Sequence, residues 1–155
     1  MKRKAMFAVL GLVVAAFLAV DSARSQDSGK KVISTPNAPE AIGPYSQAIR
    51  VGKTVYLAGQ VAIDPKTKKF MADASIEDQT RQTLENLKAV LEADGLTMDN
   101  VVSTSVFLQD LNDFGKMNQV YGTYFKTAPP ARATVQVAKL PLAARVEISA
   151  IAVAP

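Results

Sequence analysis

The sequence contains no histidine, no cysteine and no tryptophan, and each absence removes a chemistry. A Ser-His-Asp triad, a thiol nucleophile and the usual zinc sites all need residues that this chain lacks. Without cysteine there is also no disulfide framework and no lipid-anchoring thiol after the leader, which fits an oxidising compartment. Carboxylate, guanidinium, amine, hydroxyl, backbone amide and bound water remain for catalysis. A large charge excess is missing as well. Of 18 basic and 14 acidic residues, the first 25 positions hold Lys2, Arg3, Lys4 and Arg24 against Asp21 alone. That leaves 14 against 13, a net of +1, so the body offers no electrostatic footprint for nucleic acid. A chain of 155 residues suits one compact domain.

What is present begins with a leader. Three positive charges within Met1 to Lys4 precede an uninterrupted apolar run from Ala5 to Val20. Asp21 to Gln26 is then polar with small residues, the layout of a secretory signal peptide cut after Ser25 with Ala23 at minus three. The competing reading is an uncleaved anchor, since the run is near the lower limit for spanning a bilayer. The expected organisation is a signal peptide over 1–25, a flexible tail over 26–31 and one domain over 32–155. The expected location is periplasmic or secreted, with no stable membrane association after cleavage.

Along the body, Val32 to Thr35 is a short β-branched run, and Ser46 to Arg50 with Thr54 to Ala58 flanks Val51-Gly52-Lys53 as a hairpin. Asp64-Pro65-Lys66-Thr67 reads as a turn with a solvated basic loop behind it. Ser75 and Asp78 have capping-box spacing, and Ile76, Thr80, Leu84, Leu87 and Leu91 recur at steps of three and four. They predict an amphipathic helix stopped at Gly95. Val101 to Leu108 reads as a strand. A second helix from Asn112 or Asp113 is expected to bury Phe114, Met117, Tyr121 and Tyr124, ending before Pro129-Pro130. Ala131 to Val137 and Arg145 to Val153 alternate as the last two strands. The order predicts an α+β sandwich, one sheet covered on one face by two helices.

Alternation puts Arg132, Thr134 and Gln136 on one face of the penultimate strand and Arg145, Glu147 and Ser149 on one face of the last. A guanidinium and an acid thus stand on strands read as neighbours, and their convergence depends on register.

The blocks Ala41-Ile42-Gly43-Pro44-Tyr45-Ser46-Gln47, Ala58-Gly59-Gln60, Gln82-Thr83-Leu84-Glu85-Asn86, Asp110-Leu111-Asn112-Asp113-Phe114, Pro130-Ala131-Arg132-Ala133 and Val146-Glu147-Ile148-Ser149-Ala150 resemble the signature blocks of the Rid/YjgF reactive-intermediate deaminase family, also called the endoribonuclease L-PSP family. They follow that family's order and spacing from about residue 32 to the end.

The resemblance implies a chorismate-mutase-like single domain with a mixed sheet and two helices on one face. It also implies a homotrimer with ligand sites in clefts between subunits. It assigns Glu147 and Tyr45 to catalysis and Arg132, Gly59, Thr134 and Asn118 to substrate binding. The implied activity is hydrolysis of enamines and imines of amino acids, of the 2-aminoacrylate and 2-iminopropionate type, to 2-keto acids and ammonia. Arg132 would grip the substrate carboxylate with two charge-assisted bonds, and Glu147 would orient and deprotonate water. Tyr45 and the Gly59 backbone would supply hydrogen bonds around the nitrogen. The expected partners are small 2-imino and 2-keto acids and further copies of the chain, with no metal, no organic cofactor and no nucleic acid. Ala58 and Thr134 depart from the family's usual serine or threonine and cysteine. The alternative is a trimer that binds small carboxylates, or acts as a holdase, without chemistry. A nuclease is disfavoured by the near-neutral body and the lack of histidine.

Overall fold

The computed structural model describes residues 29–155, so the signal peptide and the start of the tail lie outside the described residues. The first strand, β1, spans Lys31–Ile33 and so begins one residue earlier than expected, with Lys31 paired to Asp94 at 2.7 Å. Strands β2 (Ala48–Val51) and β3 (Thr54–Gln60) form the expected hairpin, turned by Gly52 at φ 57°, where a side chain would be strained. A two-stranded ribbon, β4 (Ile63–Asp64) and β5 (Lys69–Phe70), closes the next turn.

Helix α1 runs Ile76–Glu92. Ser75 caps it by accepting a hydrogen bond from the Asp78 N–H at 3.1 Å, and Gly95 at φ 73° lets the Leu96 N–H return to the Leu91 carbonyl at 3.0 Å. Then follow β6 (Val101–Leu108), α2 (Phe114–Tyr124), β7 (Ala131–Gln136) and β8 (Val146–Val153). The main sheet has the order β1-β2-β3-β8-β6-β7, with β6 and β7 parallel and the other pairs antiparallel. Parallel pairing needs a crossover, and α2 supplies it.

Both helices pack on one face. Leu84, Leu87 and Leu91 from α1 and Met117 from α2 meet Val106, Leu108, Val146 and Ile148 from the sheet, all essentially solvent-free. Among the described residues no element covers the opposite face. Its cross-strand row Val32, Ile49, Tyr56 and Ile151 is apolar, and Val32, Tyr56 and Val135 are each about half exposed or more.

Two expectations need correction. β7 and β8 are not neighbours: β6 lies between them, with Phe107 pairing to both Val135 and Glu147. The crossover through α2 places β7 at the sheet edge, while β8 inserts between β3 and β6. The stripe of α2 is Met117, Val120 and Tyr121, with Tyr124 at its margin and Phe114 exposed. Phe114 opens the helix beside β7, where it faces a guanidinium instead of the core.

Candidate active site

Glu147 stands between Val146 and Ile148, whose side chains are buried under the helices, so strand alternation turns its carboxylate to the bare face. The β3–β8 ladder breaks register between Leu57 and Gln60, and Gly59 lies in that break. A Cβ on Gly59 would meet a carboxylate oxygen of Glu147 and lie 2.9 Å from its carboxyl carbon. Glycine is needed here for space, not for a left-handed backbone.

Gly59 and Glu147 line a cavity of about 430 Å³, with Tyr45 and Gln60 beside them and Ile42, Val61, Ile63 and Leu142 as apolar wall. Tyr45 is held by the tight turn at Gly43, where its N–H donates to the Gly43 carbonyl at 2.8 Å. Its hydroxyl accepts from the Ile42 N–H at 3.5 Å. Burial raises the Glu147 carboxyl above the ordinary carboxylate range, and no hydrogen bond or ion pair among the described residues opposes that effect. Such a group is suited to take up and return a proton.

A second group of the expected residues is built on β7 and α2. Arg132 pairs across the sheet with Thr104, which is buried, so its side chain runs to the helix-covered face at the rim. There its Nη2 donates to Asn118 Oδ1 at 2.9 Å. Its guanidinium lies 4.4 Å from the Tyr121 ring centroid and 5.7 Å from that of Phe114. These contacts orient the planar fork but leave its charge without a carboxylate among the described residues. Thr134, two residues along the same strand face, buries a hydroxyl that has no hydrogen-bond partner among the described residues.

Glu147, Gly59 and Tyr45 therefore come together, and Arg132, Asn118 and Thr134 come together, but the two groups occupy opposite faces of one sheet. Within one chain no small molecule touches both. Phe114 and Tyr121, which the pattern assigned to the core, both lie against the Arg132 guanidinium; Tyr121 is buried as expected and Phe114 is exposed. Their spacing of four and three around Asn118 was the available signal, since it puts all three on one helical face below Arg132. Among the described residues no group of three or more carboxylates gathers as a metal site, and no helix is long and apolar enough to cross a membrane.

Known proteins share this sequence pattern and fold. The endoribonuclease L-PSP family model matches residues 35–154. The chain is 52% identical to the mouse 2-iminobutanoate/2-iminopropanoate deaminase over 124 residues, 80% of this chain and 91% of that protein. It is 53% identical to a RutC family protein of Pyrococcus horikoshii over 79% of this chain and 97% of that one. The Yersinia pestis Rid-family protein YyfA superposes with a TM-score of 0.79 at 47% identity, covering 81% of this chain and all of that one. Escherichia coli TdcF with bound serine gives 0.77 at 42% identity, over 81% and 99% of the two chains. On sequence and fold alike, the chain belongs to the endoribonuclease L-PSP family, the Rid/YjgF family that its sequence blocks resemble.

Proposed function

We propose that the protein is a hydrolytic deaminase that converts reactive 2-imino acids, and the enamines that tautomerise to them, to 2-keto acids and ammonia. The carrying observation is an uncompensated carboxylate on one sheet face and an uncompensated guanidinium on the other. The name and 52% identity of the mouse deaminase support the reaction class, and the serine in the TdcF structure supports an amino-acid-sized ligand with a carboxylate.

The site closes when the Arg132 edge of one copy meets the Glu147 face of the next. Such a contact joins two different surfaces, so it is heterologous and makes a ring where its rotation closes. The family resemblance makes that ring a homotrimer, and the bare apolar sheet face supplies area that association would bury. Arg132 grips the substrate carboxylate through two N–H donors, Asn118 and the two aromatic rings hold the fork, and Thr134 offers its free hydroxyl beside it.

From the neighbouring copy, Glu147 takes a proton from water as the oxygen bonds to C2 of the imine, then passes it to the nitrogen. The carbinolamine loses its C–N bond as the hydroxyl proton travels to the departing nitrogen, which releases ammonia and leaves the 2-keto acid. Tyr45 and Gly59 line the same cavity as Glu147, which supports a role for them in orienting the water and the nitrogen. An enamine enters by taking a solvent proton at C3 and giving up one N–H proton to solvent, which leaves the imine.

The test generates 2-aminoacrylate in situ and follows pyruvate and ammonia with wild type, Arg132→Ala and Glu147→Gln. Activity lost in both variants, with pyruvate binding retained in Glu147→Gln, supports the reading. Full activity in Glu147→Gln would leave only carboxylate binding. We propose in addition that the chain is exported and cut near Ser25. Mass spectrometry of the periplasmic protein should then find a chain starting near Gln26, and recovery of full-length protein only in membranes would contradict this.

A further inference from the structure

We infer that Asn86, oriented by Gln82, is a positioning residue for this site: its side-chain amide fixes the segment that leaves β3, and with it the Gly59 backbone against which Glu147 rests. Asn86 is 1% exposed on α1. Its Nδ2 donates to the carbonyls of Val61 at 3.1 Å and Ile63 at 3.0 Å, and its Oδ1 accepts from Gln82 Nε2 at 2.8 Å.

The β3–β8 ladder ends with Gln60 opposite Ile148, so the sheet no longer determines the path of the chain beyond that point. Val61 and Ile63 both line the Glu147 cavity, and Gly59 is two residues upstream of the first anchored carbonyl. The Ile63 N–H folds back on the Val61 carbonyl at 2.8 Å, which makes a tight turn that the amide clamps from the helix side. A second strut lies nearby, where Gln79 Nε2 donates to the Met71 carbonyl at 3.0 Å and the Met71 N–H donates to the Ala62 carbonyl at 2.9 Å.

The chemistry demands an amide. Two carbonyls need two donors from one planar group, and the Gln82 donor needs the remaining oxygen, so a carboxylate at 86 opposes both carbonyls and an alkyl group leaves them unpaired. The Gln82 to Asn86 block, which took no part in the chemistry above, thus acts on the site through Gly59. The inference rests on Glu147 acting as the base, and the test below separates the two.

The experiment compares wild type, Asn86→Asp, Asn86→Ala, Gln82→Ala and the control Arg50→Ala. The control breaks the ion pair with Asp94 beyond the C-terminal end of α1. Each protein is assayed for kcat and KM on 2-iminopropanoate and for the Gly59 amide resonance by NMR. Because a misplacement of about 1 Å at a reacting group costs roughly 10² in rate, both Asn86 variants should lose at least about tenfold in kcat while KM changes less than about threefold.

Gln82→Ala should lie between them and wild type, and the Gly59 resonance should move in all three but not in Arg50→Ala. The inference is overturned if the Asn86 variants keep wild-type kcat, if KM alone rises, or if Arg50→Ala matches them at equal loss of melting temperature. Should the Asn86 variants fail to fold, Gln82→Ala decides by itself: unchanged kcat and an unmoved Gly59 resonance overturn the claim. If wild type shows no deamination, the function proposed above fails, and the Gly59 resonance still decides this one.

Discussion

Gly59→Ala is the sharpest single perturbation of the site, because it adds one methyl where the Glu147 carboxylate, the proposed general base, lies. The new Cβ would sit 2.9 Å from the Glu147 carboxyl carbon and 3.2 Å from its Cγ. Either the backbone of β3 gives way or the Glu147 side chain swings out. The obstructing atoms are the far end of a flexible side chain, so the swing is the cheaper response, at about 0.5–1.5 kcal/mol if it is driven off its rotamer. By the usual size scaling the melting temperature should fall by only roughly 2–6 °C. The catalytic effect should be far larger, since a displaced general base costs about 10²–10⁴ in rate. The added methyl leaves the neighbouring copy's Arg132, which holds the carboxylate, unaltered, so pyruvate binding should change by no more than about threefold. The assay pairs pyruvate and ammonia release from 2-aminoacrylate with calorimetric pyruvate titration and thermal melts. Wild-type turnover in Gly59→Ala would refute the placement of Glu147 against this glycine.

Other outcomes follow from the same geometry. Arg132→Lys keeps the charge but loses the fork, so kcat/KM for imino acids should fall at least ~10-fold, equivalent to about 1.4 kcal/mol of a charge-assisted bond. The Glu147 carboxyl is raised in the fold, so its charged form costs stability above that raised value, and the cost vanishes below the unfolded value of about 4.3. Glu147→Gln should therefore melt above wild type at pH 8, with the gap closing toward pH 3.5 in pH-dependent melts. The Asp94 side chain is 1% exposed, but hydrogen bonds from Lys31 and Arg50 outweigh its desolvation and lower its pKa. Asp94→Asn should melt below wild type at pH 7, with the deficit shrinking as pH falls through that lowered value and kcat unchanged. Val135→Asp, on the bare face, should reduce the assembly to monomers by light scattering and abolish turnover.

Much of this molecule could be read from its pattern. The α1 stripe, the Ser75 cap, the Gly52 turn and the limits of β6 all follow from local chemistry, and local chemistry decided them. The sheet order did not follow, because nothing in Ala131 to Val153 tells β8 to insert between β3 and β6. That insertion is settled by long-range packing under two helices. For the same reason Arg132 and Glu147 were legible as polar positions on their strands but not as occupants of opposite faces. Phe114 carried the period of a core residue, and only the nearness of β7 gives it another task. Gly59 was identifiable by resemblance, whereas its physical reason, the carboxylate lying on it, required the register break in β3.

The central claim is that one active site takes its guanidinium from one copy and its carboxylate from another. Subunit mixing tests it directly. Arg132→Ala and Glu147→Gln proteins, each inactive alone, are unfolded together, refolded at equal ratio and assayed for ammonia release, with mass spectrometry confirming mixed assemblies. If each interface draws its halves at random, one interface in four pairs an intact Glu147 with an intact Arg132, and the mixture should recover about a quarter of wild-type activity. Mixed assemblies that stay inactive would contradict a site shared between subunits.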